Sequence, residues 1–193
     1  MHTNKVPDPT KVITGPETRW AYVNVWEPRS FDGSPARYSV CLIIPKTDVG
    51  TLRKIQRAKM AAWQVWLARP DGGWNSSTEE FVRDPLHDGD LERPDDPAYE
   101  NAFFLHATSL WAPEIVDENL EPVKNREQVY SGVYGRASIR FFAYKGSDGT
   151  AGITARLNHL QLLSSGEMLG GRSTAQEDFA LAEDEDDPDF PFS

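Results

Sequence analysis

Apolar and polar residues alternate with period two at several places along the chain, and each such run predicts a strand. From Arg19 to Trp26 the pattern places Ala21, Val23 and Val25 on one side and Trp20, Tyr22, Asn24 and Trp26 on the other. Arg37 to Ile44 is β-branched and apolar enough for a largely buried strand, ended by Pro45. The pattern resumes from Ala102 to Thr108 and continues in shorter pieces to Ile115 and Val116. Its strongest expression is a long hairpin, Val133 to Lys145 and Gly152 to Leu163, joined by Gly146-Ser147-Asp148-Gly149. One segment changes period. After Thr47 or Asp48, either able to cap a helix, Leu52, Ile55, Ala62, Trp63, Trp66 and Leu67 recur at helical spacing until Pro70, while Arg53, Lys54, Arg57 and Lys59 occupy the other face.

These elements predict a mainly β domain over residues 19–176, with five or six strands and one inserted helix. A small closed or half-closed barrel of the OB type is the economical arrangement, because closure removes the edges that so many strands would expose. Residues 1–18 read as an N-terminal arm, and 71–100, rich in Gly, Pro and Asp, as a long acidic loop. Residues 177–193 read as a disordered acidic tail.

Charge is segregated. The chain of 193 residues carries a formal charge of -10, but the stretch from Glu177 to Ser193 holds eight acids and no Lys or Arg. Asp84 to Glu100 holds seven acids and one base, Arg93. Outside both stretches 19 bases meet 15 acids, so the body is mildly basic. Cys41, the single cysteine, sits in an apolar run, which fits a reducing, cytoplasmic setting. There is no apolar stretch of membrane-spanning length and no apolar core of a signal peptide near Met1.

The hairpin carries the candidate chemistry. Gly135, Ala137, Ile139, Phe141 and Ala143 suit a core, which leaves Tyr134, Arg136, Ser138, Arg140, Phe142 and Tyr144 on the opposite face. On the returning strand Ile153, Ala155 and Leu157 are core positions, and Arg156 extends the positive stripe if register allows. Single-stranded nucleic acid needs flat π-surfaces for unstacked bases and cations for phosphates, and each stacked base is worth about 1–3 kcal/mol. The expected DNA-binding residues are therefore Arg136, Arg140 and Arg156 on phosphates; Phe142, Tyr144, Trp20, Tyr22 and Trp26 on bases; and Lys46, Lys54 and Arg57 extending the path. Burial of the Trp20, Tyr22 and Trp26 row beneath the helix is an equally open reading of that strand.

The tail ends in Asp186-Asp187-Pro188-Asp189-Phe190-Pro191-Phe192-Ser193. Beyond solubility, Phe190, Pro191 and Phe192 can anchor in a partner's pocket, with Asp186, Asp187 and Asp189 beside them. The polyanion can also occupy the protein's own cationic groove and compete with nucleic acid.

Several segments together resemble the phage and prophage single-stranded DNA-binding protein family: Tyr38-Ser39-Val40-Cys41-Leu42-Ile43-Ile44-Pro45-Lys46, Pro85-Leu86-His87-Asp88-Gly89-Asp90, Tyr130-Ser131-Gly132-Val133-Tyr134-Gly135-Arg136-Ala137 and Leu169-Gly170-Gly171-Arg172. The resemblance runs from about residue 10 to about 180. It implies an OB-fold protein that coats single-stranded DNA in phage replication and recombination, in the host bacterial cytoplasm. The tail separately resembles the acidic tip of single-strand-binding proteins and departs from it at Ser193. Replication or recombination proteins would then be the tail's partners, and a homodimer is a further expectation.

Two other classes compete. A metal-dependent nuclease would use Asp84, His87, Asp88 and Asp90, or Asp95, Asp96 and Glu100, but the spacing matches no ligand motif. A pure interaction scaffold would leave the arginine and aromatic row without a role. The expectation is a non-catalytic protein with no cofactor and no resident metal.

Overall fold

In the computed structural model, which describes residues 7–30, 33–70, 82–146 and 149–170, the chain forms eight strands and two helices. They run β1 (Lys11–Ile13), β2 (Arg19–Arg29), β3 (Arg37–Pro45), α1 (Val49–Leu67), β4 (His87–Asp88), α2 (Gly89–Glu92), β5 (Ala102–Ser109), β6 (Glu114–Val116), β7 (Tyr134–Lys145) and β8 (Ala151–Ser164). Five strands close a ring: β7 pairs with β2, β2 with β3, β3 with β5, β5 with β8, and β8 returns to β7. Only β5 with β8 is parallel within that ring. This is the OB-type architecture expected from the strand pattern. The other three strands flank it, β1 beside β7, β4 beside β5 and β6 beside β8.

Closure depends on bending the long β7 and β8 hairpin, whose register shifts twice, between Tyr134 and Gly135 and between Ser138 and Ile139. Gly135 permits the first bend: a Cβ there would fall 2.1 Å from the Gln161 carbonyl oxygen and 2.7 Å from Trp20 Cζ2. Inside the ring the inward positions assemble one core. It includes Trp20 and Val25, Leu42 and Ile44, Leu105, Ile139 and Phe141, and Leu157 and Leu160. Each fully buried side chain of this size contributes about 1.5–3 kcal/mol.

α1 starts where Asp48 accepts a hydrogen bond from the Thr51 backbone N–H at 3.0 Å, and ends just ahead of Pro70. Ile55, Ala58 and Ala62 form its buried stripe against the barrel. Two helix expectations need correction. Lys59, assigned to the polar face, is buried because its ammonium is ion-paired with Asp84, and Leu67, assigned to the apolar stripe, is 44% exposed.

Two segments are more structured than their composition suggested. Within the expected arm, β1 pairs with β7 and buries Val12 and Thr14, so part of it belongs to the sheet. Of the expected long loop, residues 82–100 fold back onto the outer face of the barrel. There Tyr99 closes a second cluster with Ala21, Cys41, Ile43, Ala102 and Phe104. The acids of this segment are used locally: Asp88 caps α2 through the Asp90 N–H, and Asp96 caps the Pro97–Tyr99 turn through the Ala98 N–H. Burial pushes the Cys41 thiol up to about 11.

The alternation expected for β2 fails at one residue. Tyr22 adopts φ 47°, a left-handed conformation that costs a non-glycine residue about 1–3 kcal/mol. The pairing register with β3 shifts between Ala21 and Asn24. Trp20 and Tyr22 therefore do not share a face.

Candidate nucleic-acid interface

Following strand register around the barrel, the outward residues form one row. Lys11 on β1 is opposite Arg140 on β7, Arg140 opposite Arg156 on β8, and Arg156 opposite Thr108 on β5. Thr108 is opposite Ser39 on β3, and Ser39 opposite Asn24 on β2. The row crosses every strand of the ring, with three cations at one end and hydrogen-bonding groups at the other. Asn24 Nδ2 donates to Ser39 Oγ at 3.3 Å.

At the cationic end the guanidinium carbons of Arg140 and Arg156 lie 5.1 and 4.5 Å from the centroid of Phe142. Arg140 Nε lies 2.9 Å from Asp8 Oδ2 and donates to Thr10 Oγ1 at 3.1 Å. The Asp8 carboxyl is held below its usual range, chiefly by the Thr10 hydroxyl and also by Arg140. Arg156 and Arg136 are exposed and form no ion pair among the described residues. Tyr144 lies over Gly152, where a Cβ would meet its ring at 2.7 Å or less.

Two adjoining hollows open beside the row, sharing His106 and Thr108. One, of about 480 Å³, is lined by Tyr144, Arg37, Arg83, His87 and Thr154. The other, of about 830 Å³, is lined by Tyr22, Asn24, Arg29, Ser39, Arg93 and Tyr99, with Leu169 and Gly170 at its rim. Phe104 stands between two imidazoles, stacked on His87 with centroids 5.1 Å apart and edge-on to His106 at 6.0 Å. Partial desolvation of this exposed ring, then the neighbouring His87 and Arg93, lowers the His106 pKa. Tyr22 is 54% exposed, and its hydroxyl accepts from Arg93 Nη1 at 3.4 Å.

The structure thus brings Arg140, Phe142 and Arg156 together on the row, sets Tyr144 and Tyr22 in the two adjoining hollows, and leaves Arg136 exposed on the same face of β7. It corrects three of the expected contacts. Trp20 is 0% exposed and belongs to the core, so it has no ring face for a base. Trp26 packs against that core, and Arg126 lies over its ring at 5.5 Å. Lys46 is neutralised by Asp88 and Asp90, both at 2.7 Å, and lies over Phe103. These pairings raise the Lys46 pKa and lower that of Asp90. Lys54 and Arg57 point to solvent from α1 and line neither hollow. The tail residues Asp186, Asp187, Asp189, Phe190, Pro191 and Phe192 lie outside the described residues.

Of the carboxylates considered for a metal, Asp84 pairs with Lys59, Asp88 and Asp90 pair with Lys46, and Asp96 caps the turn at Pro97. Among the described residues no three His, Cys, Asp or Glu side chains come together to hold an ion, and no helix is long and apolar enough to cross a membrane. Sequence reasoning missed Arg29, Arg37, Arg83, Arg93 and His106 as lining residues, and considered His87 only as a metal ligand. Of these, Arg93 had a visible signal as the lone base in an acidic stretch.

No curated protein sequence matches the chain. Solved structures do. The single-stranded DNA-binding protein from bacteriophage Enc34 in complex with ssDNA superposes with TM-score 0.67 at 21% identity, covering 83% of this chain and 90% of that one. Gp2.5, a single-stranded DNA binding protein encoded by bacteriophage T7, superposes with TM-score 0.59 at 14% identity, covering 95% and 98%. At these identities the likeness establishes the shared fold. A family profile described as "Enterobacter phage Enc34, ssDNA-binding protein" matches residues 10–190. With nearly the whole length spanned, the chain belongs to the Enc34 phage ssDNA-binding protein family.

Proposed function

We propose that the protein binds single-stranded DNA without acting on it chemically, laying the strand along the row from Lys11 to Asn24. The observation that carries this reading is the registered row itself. In this reading Arg140 and Arg156 take phosphates and Phe142 and Tyr144 take bases, supported by a row that continues through Thr108 and Ser39 to the hollow that holds Tyr22. Aromatic faces accept any base, so the expected affinity is sequence-tolerant and salt-dependent. Membership of a phage ssDNA-binding family supports the same reading. So does the Enc34 relative, whose structure is a complex with ssDNA.

The tail has a part in the proposal. Residues 177–193, with eight acids and no bases, compete with DNA for the row at low salt, and their Phe190, Pro191 and Phe192 tip engages replication or recombination proteins. The test is anisotropy of a labelled dT oligonucleotide titrated with the full chain, with Arg156→Ala and with residues 1–176, over a range of salt. Arg156→Ala should weaken binding to all sequences alike and reduce the salt slope by about 0.7, the share of one phosphate contact. The truncated chain should bind tighter at low salt and converge with the full chain at high salt. Absence of binding by the full chain at every salt concentration defeats the proposal.

A further inference from the structure

Arg93 stands apart from its neighbours in the chain. Of the seven acids between Asp84 and Glu100, Asp84 pairs with Lys59, Asp88 and Asp90 with Lys46, and Glu92 with His87. Asp96 caps a turn. No described carboxylate pairs with Arg93. Its guanidinium instead lies against three rings, 5.4 Å from the centroid of Tyr99, 5.9 Å from Phe104 and 6.0 Å from Tyr22. Its one protein hydrogen bond among the described residues is to the Tyr22 hydroxyl. A guanidinium has five N–H donors, so most of its capacity is open toward the hollow it lines.

The two residues are presented by independent devices. The fold-back of residues 82–100 sets Arg93 over the outer cluster through Tyr99 and Phe104. The bulge in β2 turns Tyr22 out of the barrel at the cost of a left-handed backbone. A cation without a carboxylate among the described residues and a ring that is more than half exposed meet in a cavity of about 830 Å³, beside the Asn24 and Ser39 end of the row.

We propose that Arg93 and Tyr22 form a subsite for one nucleotide unit of a single strand, Tyr22 stacking the base and Arg93 binding the adjoining phosphate. The proposal deepens the single-strand-binding reading and rests on it. It makes the acidic segment part of the binding surface, which adds its one cation beside Arg29 at the end of the row whose own residues, Asn24 and Ser39, are uncharged. Phosphate binding needs no rearrangement of the guanidinium, because the ring contacts already orient it.

The test uses the full chain and two probes, a dT oligonucleotide and an abasic oligonucleotide of the same length. Arg93→Met keeps an unbranched stem over Tyr99 and Phe104 while removing the charge. It should weaken both probes equally and lower the salt slope by about 0.7. Tyr22→Ala should weaken dT about tenfold, leave the abasic probe unchanged and keep the slope. Unfolding midpoints report whether either variant has lost the fold, and Tyr22→Phe provides a conservative second variant that should retain dT affinity. The subsite is overturned if the wild type binds both probes and Arg93→Met matches it in affinity and slope. A wild type that binds neither probe removes the underlying reading first, and the subsite with it.

Discussion

Arg140 and Arg156 face each other directly across β7 and β8, and both guanidinium groups lie over the same ring, Phe142. Like charges in direct cross-strand register are destabilising by a few tenths to about 1 kcal/mol. Asp8 offsets the Arg140 charge at 2.9 Å, but among the described residues no carboxylate pairs with Arg156. A phosphate placed between the two would relieve the repulsion.

Arg156→Thr should therefore act in opposite directions on the fold and on binding. Urea unfolding should show a gain of about 0.5 kcal/mol, from removed repulsion and a better strand residue. Affinity for dT should fall severalfold. A variant that loses both stability and affinity would show that Arg156 holds the sheet together instead.

Lys46 separates a structural cation from a binding one. Its ammonium is engaged by Asp88 and Asp90, so Lys46→Gln should loosen residues 82–100 and lower the melting temperature. The slope of log K against log salt should stay at the wild-type value. A slope reduced as much as in Arg156→Ala would return Lys46 to the DNA path.

The pH dependence of stability follows from His106. The ring is exposed on β5 but partly desolvated by its neighbours, which lowers its pKa from the ordinary 6.5, so folding favours the neutral form. The stabilisation is fully present above the unfolded value near 6.5, and is lost as pH falls below it through the folded value. His87 and Arg93 act in the same sense, since each disfavours a proton on His106. Melting curves from pH 7.5 to pH 5 should show His106→Gln less acid-sensitive than wild type, and identical curves would contradict this assignment.

Trp20 and Gly135 form a complementary pair in the core, the glycine leaving room for the indole. Gly135→Ala should cost about 1–3 kcal/mol, because a Cβ would overlap the Gln161 carbonyl as well as the ring. Trp20→Ala should cost about 3–5 kcal/mol and leave the dT affinity of the folded fraction unchanged. Denaturant unfolding monitored by circular dichroism measures both, and a Trp20→Ala protein that stays stable but loses DNA affinity would reinstate Trp20 as a stacking residue.

The hairpin was legible because strict period two survives on both of its strands. Ala137, Ile139 and Phe141 face inward, and Arg136 and Arg140 face outward, as the alternation required. β2 was not, since the bulge at Tyr22 inverts the alternation and no residue in Trp20-Ala21-Tyr22-Val23-Asn24 signals a left-handed backbone. Lys59 was misread because helical periodicity cannot foresee a carboxylate 25 residues away. Arg93 was hidden for a related reason: composition described its surroundings along the chain, whereas its rings come from β2, β5 and the turn at Tyr99. Charge segregation was read correctly as a number, but pairing with Lys46 and Lys59 decides what those acids do.

The parallel pairing of β5 with β8 joins residues 107 and 155, and like the pairing of β7 with β8 it waits for the last strand of the ring to be made. Until β8 emerges from the ribosome, β5 ends in an open edge and β7 lacks its long hairpin partner. Such long-range closure is slow and leaves the nascent chain prone to misassociation. It also means that Asn24, Ser39 and Thr108 are not continuous with Arg156 and Arg140 until the barrel shuts. An unfinished chain therefore holds the row in two pieces with Arg156 missing between them, and competence to hold a strand of DNA would arrive together with completion of the fold.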